Sequence, residues 1–119
     1  MLPDKIDAGY PWDMLDAAEA VVEFVSGYSF NGYLRDRKLR GAVERHVEII
    51  GEAARKVSQP FRDSHPEIPW QRIISQRNVL AHEYGDLEHK FIWTVATIHI
   101  PKLIAVLKPL VPAPPEPGP

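Results

Sequence analysis

The sequence predicts an all-α protein, an antiparallel bundle of four to five helices built as one domain. Apolar residues recur at spacings of three and four along most of the 119 residues, and strand-like alternation is scarce. The stretch from Leu34 to Ser58 sets an apolar stripe against a densely charged face, the pattern of a helix with one side in a core. Glycine and proline stand between the periodic stretches and supply the stops.

The first helix is predicted over about Pro11 to Ser26. Pro11 suits a first-turn position, where its missing N–H costs little. Leu15, Ala18, Val22 and Val25 form one stripe, and Gly27 closes the helix. The second helix is predicted as one long element, Leu34 to Ser58, with Leu39, Val43, Val47, Ile50, Ala54 and Val57 inward. Its other face carries Arg35, Arg37, Lys38, Arg40, Glu44, Arg45, Glu48, Glu52, Arg55 and Lys56. Gly41 and Gly51 inside it each disfavour the helix by up to ~1 kcal/mol against alanine, and close approach of another helix is the expected reason for them.

The connector QPFRDSHPEIP holds three prolines and excludes a continuous helix. Pro69 then opens a third helix, Trp70 to about His82 or Tyr84, with Trp70, Ile73, Ile74 and Leu80 as its apolar contacts and Gly85 as its stop. Asp86 is placed to cap a fourth helix, whose stripe is Phe91, Val95, Ile98, Leu103 and Val106, and Pro101 should kink or divide it. Six of the last eleven residues are proline, so the helical domain is drawn over 1–108 and an extended tail over 109–119.

The net charge is −2, so any nucleic-acid contact must be local rather than a general basic coat. There are no cysteines, which removes disulfides, thiolate metal sites and cysteine nucleophiles. The amino terminus does not read as a signal peptide, and no apolar run approaches the ~20 residues of a membrane span. A cytoplasmic protein without a membrane partner is expected. His46, His65, His89 and His99 show no metal-ligand spacing, and no metal or cofactor is expected. Trp12, Trp70 and Trp93 read as core or interface aromatics. Glu48, Glu52, Arg45 and Arg55 read as a solvated or ion-paired face.

Chemistry concentrates in RNVLAHEY, Arg77 to Tyr84. On an ideal helix Arg77 and Tyr84, seven apart, lie nearly in line, and Asn78 and His82 share a face. Arg77 and His82 point roughly 140° apart. Either the helix ends or distorts near His82, or two copies of the segment meet across a dimer axis. RNA can be cut without a metal when its own 2′-OH attacks the adjacent phosphate. That reaction needs a group that moves protons near neutral pH, as histidine does, and a fixed cation on the phosphate, as arginine is. His82 as acid/base, Arg77 as phosphate clamp and Asn78 as an orienting amide make a coherent ribonuclease site. The plain alternative for an Arg and a His on one helix is a surface pair or a cap.

The spacing Arg77-Asn78-x3-His82-x-Tyr84 resembles the Arg-x4–6-His motif of HEPN ribonucleases, and the added tyrosine resembles the HepT branch. EIIGEAARKVS (Glu48 to Ser58), HPEIPW (His65 to Trp70) and IPKL (Ile100 to Leu103) resemble further HepT landmarks in the same order, and the likeness runs from about Met14 to Leu107. It implies a homodimeric HEPN bundle with the motif at a cleft between protomers. The implied activity is that of a metal-independent endoribonuclease, the toxin of a type II/VII-like toxin–antitoxin pair. The implied partner is a minimal nucleotidyltransferase, MNT, which uses ATP and Mg²⁺ to attach AMP to Tyr84. An adenylyl group there would add bulk and negative charge above Arg77. Gly41, the proline-rich end and the segment Phe30-Asn31-Gly32-Tyr33 depart from the family pattern. A different class of function, a non-catalytic helical subunit that regulates a nucleotidyltransferase, fits the same helices.

Overall fold

In the computed structural model the backbone is described for residues 3–81 and 86–112, and the side chains for 9–76 and 88–112. The described residues are helical and contain no strand. The elements are α1 (Pro3–Val25), α2 (Phe30–Arg35), α3 (Arg37–Lys56), α4 (Gln59–Ser64), α5 (Trp70–Ala81), α6 (Asp86–Thr94), a π-helical turn (Val95–His99), α7 (Ile100–Leu107) and a 3₁₀ turn (Lys108–Leu110). Four long passes, with α6, the π turn and α7 forming the last, make the bundle, and α2 and α4 are short corners. The all-α expectation is met.

α3 lies at the centre, with α1 and α5 as its main neighbours. Leu39, Val43, Val47, Ile50 and Ala54 are buried as their spacing requires, together with Gly51 and Ala53. α1 answers with Met14, Leu15, Ala17, Ala18, Val21 and Val25, and the last pass with Ile92, Val95, Ala96, Ile100, Leu103 and Leu107. Burial of such side chains contributes about 1.5–3 kcal/mol for each large aliphatic. The last pass runs as one helix, Glu88–Leu110, that is long and apolar enough to cross a membrane, which the sequence reading did not anticipate. Its inward stripe is nevertheless core, packed on α1.

Several boundaries differ from expectation for local reasons. α1 begins before Pro11, which is fully buried inside the helix rather than in its first turn. The long second helix is interrupted at Asp36, whose carboxylate accepts the Leu39 N–H at 3.0 Å and caps α3. Ser29 caps α2 in the same way, accepting from Gly32 N at 3.1 Å. At its other end α3 is closed by Arg62, whose guanidinium donates to the carbonyls of Ala54 (3.1 Å), Arg55 (2.6 Å) and Val57 (3.2 Å). Arg62 stands on α4, a turn and a half started by Ser58 within the proline-rich connector.

Gly27 stops α1 with φ +82°, in the left-handed region that glycine tolerates. Gly41 does not fit the expected close approach: it is exposed, and a Cβ there would meet nothing within 4 Å. Gly51 is buried in the core stripe. Leu110 and Val111 still pack partly against the core, and residues 113–119, most of the expected tail, lie outside the described residues.

Pro101 does not break the last pass, which stays helical through it, and the expected irregularity takes the form of the π turn just before it. Ile100 N–H reaches back five residues to the Val95 carbonyl, so one residue is accommodated before the position where proline has no N–H to give. His99 lies in this turn. Its imidazole is held below its ordinary pKa by partial burial first, then by the nearby Arg72 and Lys102.

Two stability measurements follow from these features. Gly41→Ala should raise stability by about 0.5–1 kcal/mol, seen as a higher urea midpoint at unchanged slope. A lower midpoint would show that the position is confined after all. His99 binds its proton more weakly folded than unfolded, so the unfolded chain protonates first as pH falls. The stability due to neutral His99 is present above about pH 6.5 and is lost as pH drops toward the folded pKa. His99→Gln should flatten that part of the stability–pH curve, and a curve as steep as that of the parent would refute the assignment.

Candidate functional site

Arg77 and Asn78 fall on the last two turns of α5, and their side chains lie outside the described ones. His82 and Tyr84 lie outside the described residues altogether, as does the expected stop, Gly85. The choice between a helix end near His82 and a site shared across a dimer axis therefore stays as the sequence left it. The described structure gives the scaffold on either side of the segment.

On the amino-terminal side, α5 is fixed by the HPEIPW corner. Trp70 is buried and donates from Nε1 to the His65 carbonyl at 3.0 Å. Ile68 is 2% exposed, and its N–H also bonds His65 O. Pro69 accepts the Ile73 N–H at 3.1 Å, so it stands just before the helix and α5 starts at Trp70. Phe61 packs on His65 and on Trp70. The corner is a packing device that sets the angle at which α5 lies against α3, and Trp70 has no exposed ring face for a base.

On the carboxyl-terminal side, α6 carries a buried polar group within a few residues of the segment. Glu88 is 4% exposed, and Tyr33 of α2 is fully buried. His89 Nδ1 lies 3.9 Å from a Glu44 carboxylate oxygen of α3, an ion pair when the imidazole is protonated. Among the described residues, Tyr33 Oη, Glu88 Oε1 and His89 Nδ1 are buried without a hydrogen-bond partner. Burial first, then the Glu44 carboxylate, pushes the Tyr33 phenol up; Arg40 acts in the opposite sense and Glu88 adds to the rise. The phenol is thus held neutral as a donor. Trp93 covers it, with ring centroids 5.2 Å apart.

A cleft of about 220 Å³ opens beside α5. Its walls are apolar, with Ile50, Ile68, Ile73, Val95, Ile100 and Leu103 among them, while Arg72, Gln76, His99, Lys102 and Glu67 supply polar groups. Gln76, buried and immediately before Arg77, brings this cleft to the edge of the motif. Sequence reading weighed His99 only as a metal ligand and did not single out Arg72, Gln76 or Lys102. These residues are distant in sequence, and only the packing of the last pass near α5 joins them.

The remaining charged residues behave as a structural face. Arg45 pairs with Glu48 at 2.7 Å, both substantially exposed, and such a pair contributes little to stability. Glu52 lines a shallow groove between α1 and α3 with Tyr10, Asp13 and Lys56.

Comparison with known proteins places these features in a family. A protein of Thermococcus cleftensis named "Probable ribonuclease HepT" is 36% identical over 94 residues, 79% of this chain and 86% of the relative. A Caldanaerobacter subterraneus protein provisionally named an RNase is 35% identical over 99 residues, 83% of this chain and 88% of its own. One of Methanocaldococcus jannaschii, also provisionally named an RNase, is 34% identical over 92 residues, 77% of this chain and 84% of its own. No solved structure gives a significant match. The family model described as ribonuclease HepT-like matches residues 14–110, which enclose the whole of Arg77–Tyr84, and the chain belongs to the HepT-like ribonuclease family.

Proposed function

We propose that the protein is a metal-independent endoribonuclease whose reactive groups are His82, Arg77 and Asn78, and that it acts as the toxin of a toxin–antitoxin pair. The family match across residues 14–110 carries this reading, because it encloses Arg77–Tyr84, where an arginine, an amide, an imidazole and a phenol fall within eight residues. The near-neutral net charge agrees with a site-localised RNA contact.

In the proposed reaction the substrate 2′-oxygen attacks the adjacent phosphorus as the bond to the 5′-oxygen breaks. One imidazole accepts the 2′-OH proton, and an imidazolium returns a proton to the leaving 5′-oxygen. The products are a 2′,3′-cyclic phosphate and a 5′-hydroxyl end, with no net redox change and no water consumed. Arg77 offsets the charge that builds on the non-bridging oxygens. Asn78 orients the imidazole or the phosphate. Two copies of the chain would supply both an acceptor and a donor imidazole. On the last pass Phe91 and Ile98 are 37% and 48% exposed, and these apolar side chains at the surface support association with a second copy.

Tyr84, two residues beyond His82, is the proposed acceptor of AMP from a minimal nucleotidyltransferase partner. The step joins the phenol oxygen to the α-phosphorus of ATP and releases pyrophosphate. The adduct places a phosphate near the cation meant for substrate, which would silence the nuclease.

Cleavage of a labelled RNA in EDTA tests the first part. His82→Ala should lower the rate by about 10²–10⁴-fold, and Arg77→Ala by about 10²–10³-fold, with unchanged thermal melting. Full activity in a folded His82→Ala protein would remove the acid/base assignment. Intact mass after co-expression with the neighbouring transferase tests the second part. One or more adenylyl units should appear on the parent chain and none on Tyr84→Phe, and addition that persists in the variant would move the acceptor elsewhere.

A further inference from the structure

We propose that the cleft beside α5, rimmed by Arg72, His99 and Lys102, is a subsite for a phosphate of single-stranded RNA that flanks the cleaved one. The inference rests on the ribonuclease reading above and concerns residues outside the Arg77–Tyr84 segment. Three kinds of observation carry it: which charges meet there, what the walls are made of, and where the cleft lies along α5.

Arg72 and Lys102 come from different passes of the bundle and line one cleft together with His99. On a chain of net charge −2, two cations converging on a concave surface is a local reversal of sign. Glu67 is the one carboxylate among the lining residues described, against the two cations; it lies 3.4 Å from His65 Nδ1, an ion pair when that imidazole is protonated. Arg72 and Lys102 are exposed, so their charges reach a ligand without a large desolvation cost. His99 is half-buried, and burial first, then the same two cations, disfavour its protonation. A neutral imidazole both donates and accepts, which suits a phosphate oxygen on one side and a ribose hydroxyl on the other.

The walls are apolar, so the face of a base or sugar can lie against Ile73, Val95, Ile100 and Val106. The volume, about 220 Å³, is below the roughly 300–1,000 Å³ of pockets that enclose a whole small ligand. That favours one unit of a polymer anchored elsewhere over a free nucleotide. The polymer's other anchor is close by. Gln76 lines the cleft and precedes Arg77, and Arg77 follows Ile73 by one helical turn. Arg72 and Arg77 are separated by about 7.5 Å of helix rise and roughly 140° around α5, so a strand touching both passes around the helix between them. His99 reaches this cleft from the π turn that precedes Pro101, and such turns are frequent at functional sites.

Binding of a short fluorescent single-stranded RNA to His82→Ala protein, which should not cleave it, tests the subsite by anisotropy across a salt series. Arg72→Gln and Lys102→Gln should each weaken binding about 3- to 10-fold at low salt. Each should also reduce the slope of log affinity against log salt by about 0.7, the value per phosphate neutralised on a single strand. Arg37→Gln, an exposed cation away from the cleft, should leave the slope unchanged. His99→Ala should weaken binding without altering the slope. Slopes unchanged in the Arg72 and Lys102 variants, or lowered equally by Arg37→Gln, would overturn the subsite while leaving the nuclease reading intact. Competition by 5′-AMP at concentrations comparable to the RNA would also overturn it, in favour of a mononucleotide pocket. Absence of any RNA binding would remove both readings.

Discussion

The structure depends on α3 being buried on two sides at once. A helix that packs against one neighbour needs only a stripe; α3 has α1 on one side and α5 on the other. It meets this demand with small residues at its carboxyl-terminal end. Gly51, Ala53 and Ala54 are buried where larger side chains would hold the neighbours apart. Ala53 faces the groove toward α1, while Ile50 reaches the cleft beside α5. Everything that positions the motif passes through this contact. Arg62 holds the last carbonyls of α3 so that the chain turns directly into the HPEIPW corner, from which α5 starts. The landmarks GEAA and HPEIPW, which mark the family by eye, are therefore the means of placing α5 and not parts of the chemistry.

Much of this was legible. The periodicity of Leu39, Val43, Val47, Ile50 and Ala54 identified the central stripe, and Gly27 and Pro101 marked real events in the chain. What escaped was local and polar. Asp36 interrupts the second helix, but between Arg35 and Arg37 nothing in the spacing of charges sets it apart as a boundary. Its role depends on a hydrogen bond to the Leu39 N–H, which composition does not distinguish from a solvated carboxylate. Pro11 was assigned the commonest helical position for proline, whereas burial against the core holds it inside α1. Gly41 was given a packing reason because glycine in a helix usually has one, and the open space around it gives none.

The candidate site divides along the same line. Arg77, Asn78, His82 and Tyr84 were found because they are contiguous, and short spacing is what a sequence displays. The cationic cleft could not be found that way. Arg72 and Lys102 are thirty positions apart, and each alone is an ordinary exposed charge. A signal was present in His99, two residues before a proline in an otherwise apolar helix, where the backbone has to rearrange. Its meaning waited on knowing which helix lies opposite.

The buried group at the start of α6 is the place where this fold breaks its own rules. Glu88 and Tyr33 sit in a mostly apolar core, and among the described residues Tyr33 Oη, Glu88 Oε1 and His89 Nδ1 have no hydrogen-bond partner. An uncompensated buried polar atom costs on the order of 1–3 kcal/mol. A natural core retains such a cost where the polar group serves something other than packing. Here the group lies directly after the reactive segment, and Tyr33 and Glu44 tie α2 and α3 to it. Replacing Glu88 and Tyr33 with apolar residues of similar shape would remove a desolvation penalty and give the segment a tighter base. Glu88, Tyr33 and His89 thus form a polar cluster at the start of α6, and the apolar packing of α3, α1 and the last pass supplies the stability around it.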